Sequence, residues 1–140
     1  MAIMIESEVL NIINKRSVSL QGKLLEELTD QFRSGRNRND VLKLIASDNV
    51  DFIDVGTYIL REIIIVDSSI LQQIEERLYV LIEHDDSNIR FKSLLILSDL
   101  LSDKIDSKDQ LDKLLFRMSL DPDKSIQSTA KKILKNGNLM

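Results

Sequence analysis

Along most of the chain apolar residues return at intervals of three and four, the period of one face of a helix. The pattern predicts eight helices, at residues 3–13, 18–32, 38–47, 51–66, 70–83, 87–103, 108–119 and 123–136. It also repeats on a longer scale. A shift of 37 residues brings Phe52, Ile89 and Ile126 into one column, Ile59, Ile96 and Ile133 into a second, and Leu60, Leu97 and Leu134 into a third. The same shift aligns Val41 with Leu78 and Leu115, Leu42 with Tyr79 and Phe116, and Leu44 with Leu81 and Met118. Another column, Gly56, Ser93 and Ala130, holds only small residues. Small side chains belong where two helices cross closely, because a bulky one holds the axes apart. Such a recurrence marks an array of helix pairs, each burying its apolar face on its neighbours.

Local punctuation sets the boundaries. Ser69-Ile-Leu-Gln72 and Ser107-Lys-Asp-Gln110 have the spacing of capping boxes. Asp121 followed by Pro122 predicts an N-cap with proline at the first helical position, and Lys135 before Gly137 predicts a C-terminal stop. The repeat pairs are then 38–66, 69–103 and 107–136, within one domain spanning 1–140. Residues 1–37 fit the repeat less well and are expected to form a divergent N-terminal pair, with Gly22 as its small residue. The run Arg33-Ser-Gly-Arg-Asn-Arg-Asn39 is the clearest loop.

The stretch Asp86-Ser-Asn-Ile-Arg-Phe-Lys-Ser93 opens a helix with Asp86, then Ile89, the basic Arg90, and the small Ser93 four residues after the aliphatic. In this it resembles the armadillo/HEAT-type α-helical repeat family. The next unit keeps Asp123, Ile126 and Ala130 but has Gln127 at the basic position, and the preceding one has Asn49, Phe52, Ile53 and Gly56, departing at two places. The period of 37 is also shorter than the roughly 40–47 usual for the family. The resemblance implies an all-α superhelix of about eight helices in four antiparallel pairs, whose second helices line a concave face. It implies partner binding rather than any particular chemistry.

Composition narrows the function classes. The chain of 140 residues has no Cys, one Pro and four Gly. That excludes a disulfide scaffold, a Cys-based zinc site and a catalytic Cys, and leaves few turn residues for an all-β fold. The net charge is −4 and the pI about 5.0. Residues 51–100 hold four basic and ten acidic side chains, and residues 101–140 eight basic and six acidic. The overall sign argues against a nucleic-acid partner, which normally meets a basic face. Apolar runs such as Ile63-Ile-Ile-Val66 fall far short of a membrane span of about 20 residues. A cytoplasmic protein without membrane contact is expected.

Few residues offer chemistry. His84 is the lone histidine, and His84-Asp85-Asp86 has no metal-ligand spacing, so a helix-opening loop is the better account and no metal or cofactor is expected. No glycine-rich phosphate loop and no Gly-x-Ser-x-Gly occur. Neighbours such as Glu26-Glu27 and Glu75-Glu76 diverge around a helix and form no acid–base dyad. Arg33, Arg36 and Arg38 make a secondary candidate, a phosphate-contacting arm, although no aromatic residue interleaves them. The main candidate is the polar side of two second helices: Asp51, Asp54, Tyr58 and Glu62 on one, and Phe91, Leu95 and Asp99 on the next. Large groups ringed by acids are the pattern of an interface with anchors and a charged rim. The expectation is a non-enzymatic protein-binding module with no small-molecule substrate. In its most concrete form it is an immunity-type inhibitor that neutralises a basic nuclease toxin. The alternatives are a nucleic-acid-binding HEAT-like protein and a general scaffold or adaptor.

Overall fold

A computed structural model describes residues 4–63, 69–104 and 106–138, with side chains to residue 136. Among the described residues there are eight helices and no strand: α1 (Ile5–Ile13), α2 (Val18–Arg33), α3 (Asn39–Ile45), α4 (Val50–Glu62), α5 (Leu71–Leu81), α6 (Ser87–Ser102), α7 (Lys108–Met118) and α8 (Lys124–Asn138). The order agrees with the apolar periodicity. The largest difference is at the end of α4, expected to reach residue 66. The helix stops at Glu62 because Ile63 turns to extended backbone, with φ −126° and ψ 163°; residues 64–66 lie outside the described residues. The chain divides into two compact units, Met1–Arg77 and Leu78–Met140, with the boundary inside α5.

In unit 1, α1 packs on α2, α3 and α4, and α4 also packs on α2 and α3. Val9, Phe32, Val41, Leu44, Ile45, Ile53 and Ile59 fill its core. In unit 2, α6, α7 and α8 pack on one another around Leu94, Leu97, Leu115, Ile126 and Ala130.

Burial follows the repeat. Val41, Leu78 and Leu115 are all buried, as are Leu44, Leu81 and Met118. The small column is buried throughout. Its reason is plainest at Gly56, where a Cβ would lie 2.7 Å from Ile45 Cγ2 and 2.9 Å from Leu44 Cβ on α3. The turns repeat as well. Oδ1 of Asn49, Asp86 and Asp123 caps α4, α6 and α8, accepting from the backbone N–H groups two and three residues on at 2.9–3.3 Å. Each capping residue's own N–H donates to the side chain two residues earlier, Ser47 Oγ, His84 Nδ1 and Asp121 Oδ1, at 3.0, 2.9 and 2.8 Å.

Several local expectations are corrected. Phe52 is half-buried, and Ile53 beside it, 1% exposed, takes the core position. The column Leu42, Tyr79 and Phe116 points progressively outward, half-buried, then 36% and 63% exposed. Gly22 is exposed with no atom near enough to require a glycine. Asp121 is not the cap of α8: Asp123 takes that role, and Pro122 stays ahead of the helix. The box at Ser107 does not close, since Ser107 makes no capping bond, and Gln72 donates to Glu76. Gly137 lies inside α8, which runs on to Asn138.

Candidate functional site

The unit 1 half of the expected face is built where α2 meets α4. Arg33 is the last residue of α2, with Asp30 and Glu26 three and seven positions earlier on the same helical face. Its Nη1 reaches Glu26 Oε1 at 2.6 Å and Asp30 Oδ1 at 2.5 Å, and its Nη2 reaches Glu62 Oε2 on α4 at 3.3 Å. Tyr58, one turn before Glu62, is half-buried, and its hydroxyl donates to Glu26 Oε2 at 3.4 Å. Burial raises the pKa of its phenol above the ordinary value, and the charges of Glu26 and Glu62 raise it further against the opposing Arg33. The hydrogen bonds that Arg33 donates to Glu26 and Asp30 raise its own pKa in turn. Asp51 and Asp54 are exposed on the same helix, α4. The result is a tyrosine among carboxylates, with a single arginine as their hub.

Arg33 therefore links the two candidates that the sequence keeps apart: it joins the α4 face instead of an open loop. Arg36 and Arg38 have structural duties as well. Residues 34–36 close α2 with a Schellman turn: Gly35 N–H donates to Phe32 O at 3.1 Å and Arg36 N–H to Gln31 O at 2.9 Å. Gly35 takes φ 110°, which favours glycine. The Arg36 guanidinium lies 5.2 Å from the centre of the Phe32 ring and pairs with Glu8 and Asp40 at 2.6 and 2.9 Å. Arg38 donates to the Phe32 carbonyl and, at 3.0 Å, to that of Arg36. The loop's arginines fasten α2 to α1 and α3.

The other half of the expected face lies in unit 2. Asp99 is exposed, but Phe91 and Leu95 are half-buried and do not stand out as free anchors. The cause is the position of α6, which packs on both α7 and α8 and is buried at eight of its residues from Ile89 to Leu101. Among the described residues, the large exposed apolar groups of unit 2 lie on the first helices of the pairs and just beyond them: Tyr79, Val80, Phe116 and Leu120. Sequence reasoning missed them because it read the column Leu42, Tyr79 and Phe116 as inward. It set Glu26 aside as half of a diverging pair and passed over Asp30, both of which helical spacing from Arg33 would have found.

His84 serves the turn before α6: Nδ1 accepts from the Asp86 N–H, and the carbonyl accepts from Arg90 Nη1 at 2.9 Å. Arg90 also binds Asp121 through two hydrogen bonds, Nε to Oδ2 at 3.0 Å and Nη2 to Oδ1 at 3.1 Å. Among the described residues no three His, Asp or Glu side chains gather as a metal ion would require, and no helix is long and apolar enough to cross a membrane. Nothing matches the chain among protein-family models, curated proteins or solved structures.

Proposed function

We propose that this chain is a non-enzymatic protein-binding module of armadillo/HEAT type, its helix pairs wound as a superhelix. In this reading the α2–α4 face receives a basic protein. Tyr58, bonded to Glu26 and one turn from Glu62, is the observation that carries it. The half-buried aromatic has its hydroxyl on Glu26 and the charge of Glu62 nearby, with Asp30, Asp51 and Asp54 exposed on the same two helices. An incoming arginine or lysine would compete with Arg33 for Glu26 and Glu62 while its stem covers the tyrosine ring. Inhibition of a basic toxin such as a nuclease, in the manner of an immunity protein, is the concrete form of this function. The three repeated turns support the superhelical architecture.

The test is capture from a lysate of the organism of origin, followed by calorimetry with the purified partner. Tyr58→Ala should weaken binding by about 2 kcal/mol, and Glu62→Lys should slow association and flatten its salt dependence. Circular dichroism of both variants should match the parent. A basic partner that binds both folded variants as tightly as the parent would move the site elsewhere. So would capture of acidic partners alone.

A further inference from the structure

The last helix of unit 2 carries positive charge alone. α8 carries Lys124, Lys131, Lys132 and Lys135 and no Asp or Glu, in a chain with 23 acidic residues. All four lysines are exposed, and among the described residues none makes an ion pair. Arg33, Arg36, Arg90 and Arg117, in contrast, each hold a carboxylate. Positions 124, 128, 131 and 135 are spaced by four, three and four, so they share one helical face. The face is turned outward, since Ile126 and Ala130 are buried where α8 packs on α6 and α7. Its other exposed members are Ser125, Ser128 and Asn136. Every exposed side chain there can donate a hydrogen bond, and none is acidic or apolar.

We propose that this outer face of α8 binds the phosphate backbone of a nucleic-acid duplex without reading its sequence. Lysine, serine and asparagine are the side chains that contact phosphate and sugar. From Lys124 to Lys135 the axis runs about 16 Å, enough to meet three or four phosphates. A lipid surface fits less well, because an interfacial helix sinks its apolar face into the acyl boundary and the apolar face of α8 is already packed. A protein interface lacks its aromatic anchor here, and a single strand lacks the aromatic platform on which bases stack. The overall charge of −4 does not oppose the proposal. It belongs to residues 1–77, with nine basic and thirteen acidic side chains, whereas residues 78–140 hold ten of each. The proposal stands apart from the α2–α4 face and survives the failure of that reading.

The test is fluorescence anisotropy of the full chain with a labelled mixed-sequence DNA duplex of about 20 base pairs, at 50 and 200 mM KCl. Micromolar binding at the lower salt should fall roughly 100-fold at the higher, as expected for about four neutralised phosphates. A duplex of unrelated sequence should bind equally. Lys131→Glu with Lys135→Glu should weaken binding at least about tenfold at 50 mM, with unchanged circular dichroism, and Lys131→Gln should lower the salt slope by about one. Tyr58→Ala should bind the duplex like the parent. The proposal is overturned by absence of binding at 50 mM or by a folded double variant that binds like the parent. Phosphatidylserine vesicles bound as tightly as the duplex would also overturn it.

Discussion

The turn at 47–49 in unit 1 and the turns at 84–86 and 121–123 in unit 2 share one hydrogen-bonded frame and complete it differently. In unit 2 the carbonyl of His84 is paired by Arg90 and that of Asp121 by Gln127, each a donor six residues on, from the helix the turn opens. The matching residue in unit 1 is Ile53, part of the core. There Ser47 O accepts from Arg77 Nη2 at 3.2 Å, and Ile45 O from Arg77 Nε at 2.6 Å, a donor 30 residues or more away. A carbonyl left open by a turn must find a partner. Where the local position is given over to packing, a distant side chain on α5 supplies the bond. Gln127, at the position equivalent to Arg90, keeps the carbonyl bond and gives up the second partner that Arg90 has in Asp121.

The comparison breaks most visibly at Arg90. Its pair with Asp121 is largely shielded, at 14% and 7% side-chain exposure. Arg90→Ala should lower the unfolding free energy by about 3 kcal/mol in urea denaturation by leaving a shielded carboxylate unpaired. Gln127→Ala should cost only about 1 kcal/mol. Equal losses would mean that the salt bridge adds nothing to the carbonyl bond. Acid should erase most of the difference. Burial acts to raise the Asp121 carboxyl, but Arg90 and the Asp123 N–H outweigh it and hold its pKa below 3.8. A pKa lowered on folding contributes stability above the unfolded value and loses it as the pH falls through the folded one. The gap between parent and Arg90→Ala should therefore reach its minimum only below about pH 3.8, where the share due to the lost carbonyl bonds remains.

The small-residue column gives the next effect. Gly56→Ala in unit 1 puts a Cβ within 3 Å of Ile45 and Leu44, and Ser93→Leu in unit 2 overfills a fully buried position. Each should cost roughly 1–3 kcal/mol. Ser93→Ala should instead stabilise by about 1 kcal/mol, because Ser93 Oγ is buried without a hydrogen-bond partner and Ala130 already fills the equivalent place. Thermal unfolding of the three variants checks this, and a Ser93→Ala protein that melts below the parent would count against the assigned packing.

The caps sharpen the comparison at the smallest scale. Asn49→Ala, Asp86→Ala and Asp123→Ala should each cost about 1 kcal/mol. The two aspartates should cost a few tenths more than the asparagine, since their charge also meets the helix dipole. Added salt should shrink that surplus and leave the Asn49 effect in place.

The helices and their order were legible in the sequence because a helix face is local, with a period of three to four residues; the caps were less so, since Asp121 and Ser107 have cap-like spacing and do not cap. The 37-residue recurrence also exposed the close crossing at Gly56, since a small residue kept in register has a steric cause. The acids and Tyr58 of the α4 face were readable from their spacing. What they touch was not. Arg33 holding Glu62, Arg77 serving the carbonyls of Ile45 and Ser47, and Asp121 given to Arg90 instead of a cap all join residues about 29–32 positions apart, beyond any helical period. Outward and inward sides also required the tertiary structure. Whether Phe91 lies half-buried or Phe116 lies open depends on how many neighbours a helix packs against, and α6 has two in its unit. Periodicity shows that a helix has an apolar stripe. How much of its remaining surface is covered is decided only when the neighbouring helices are in place.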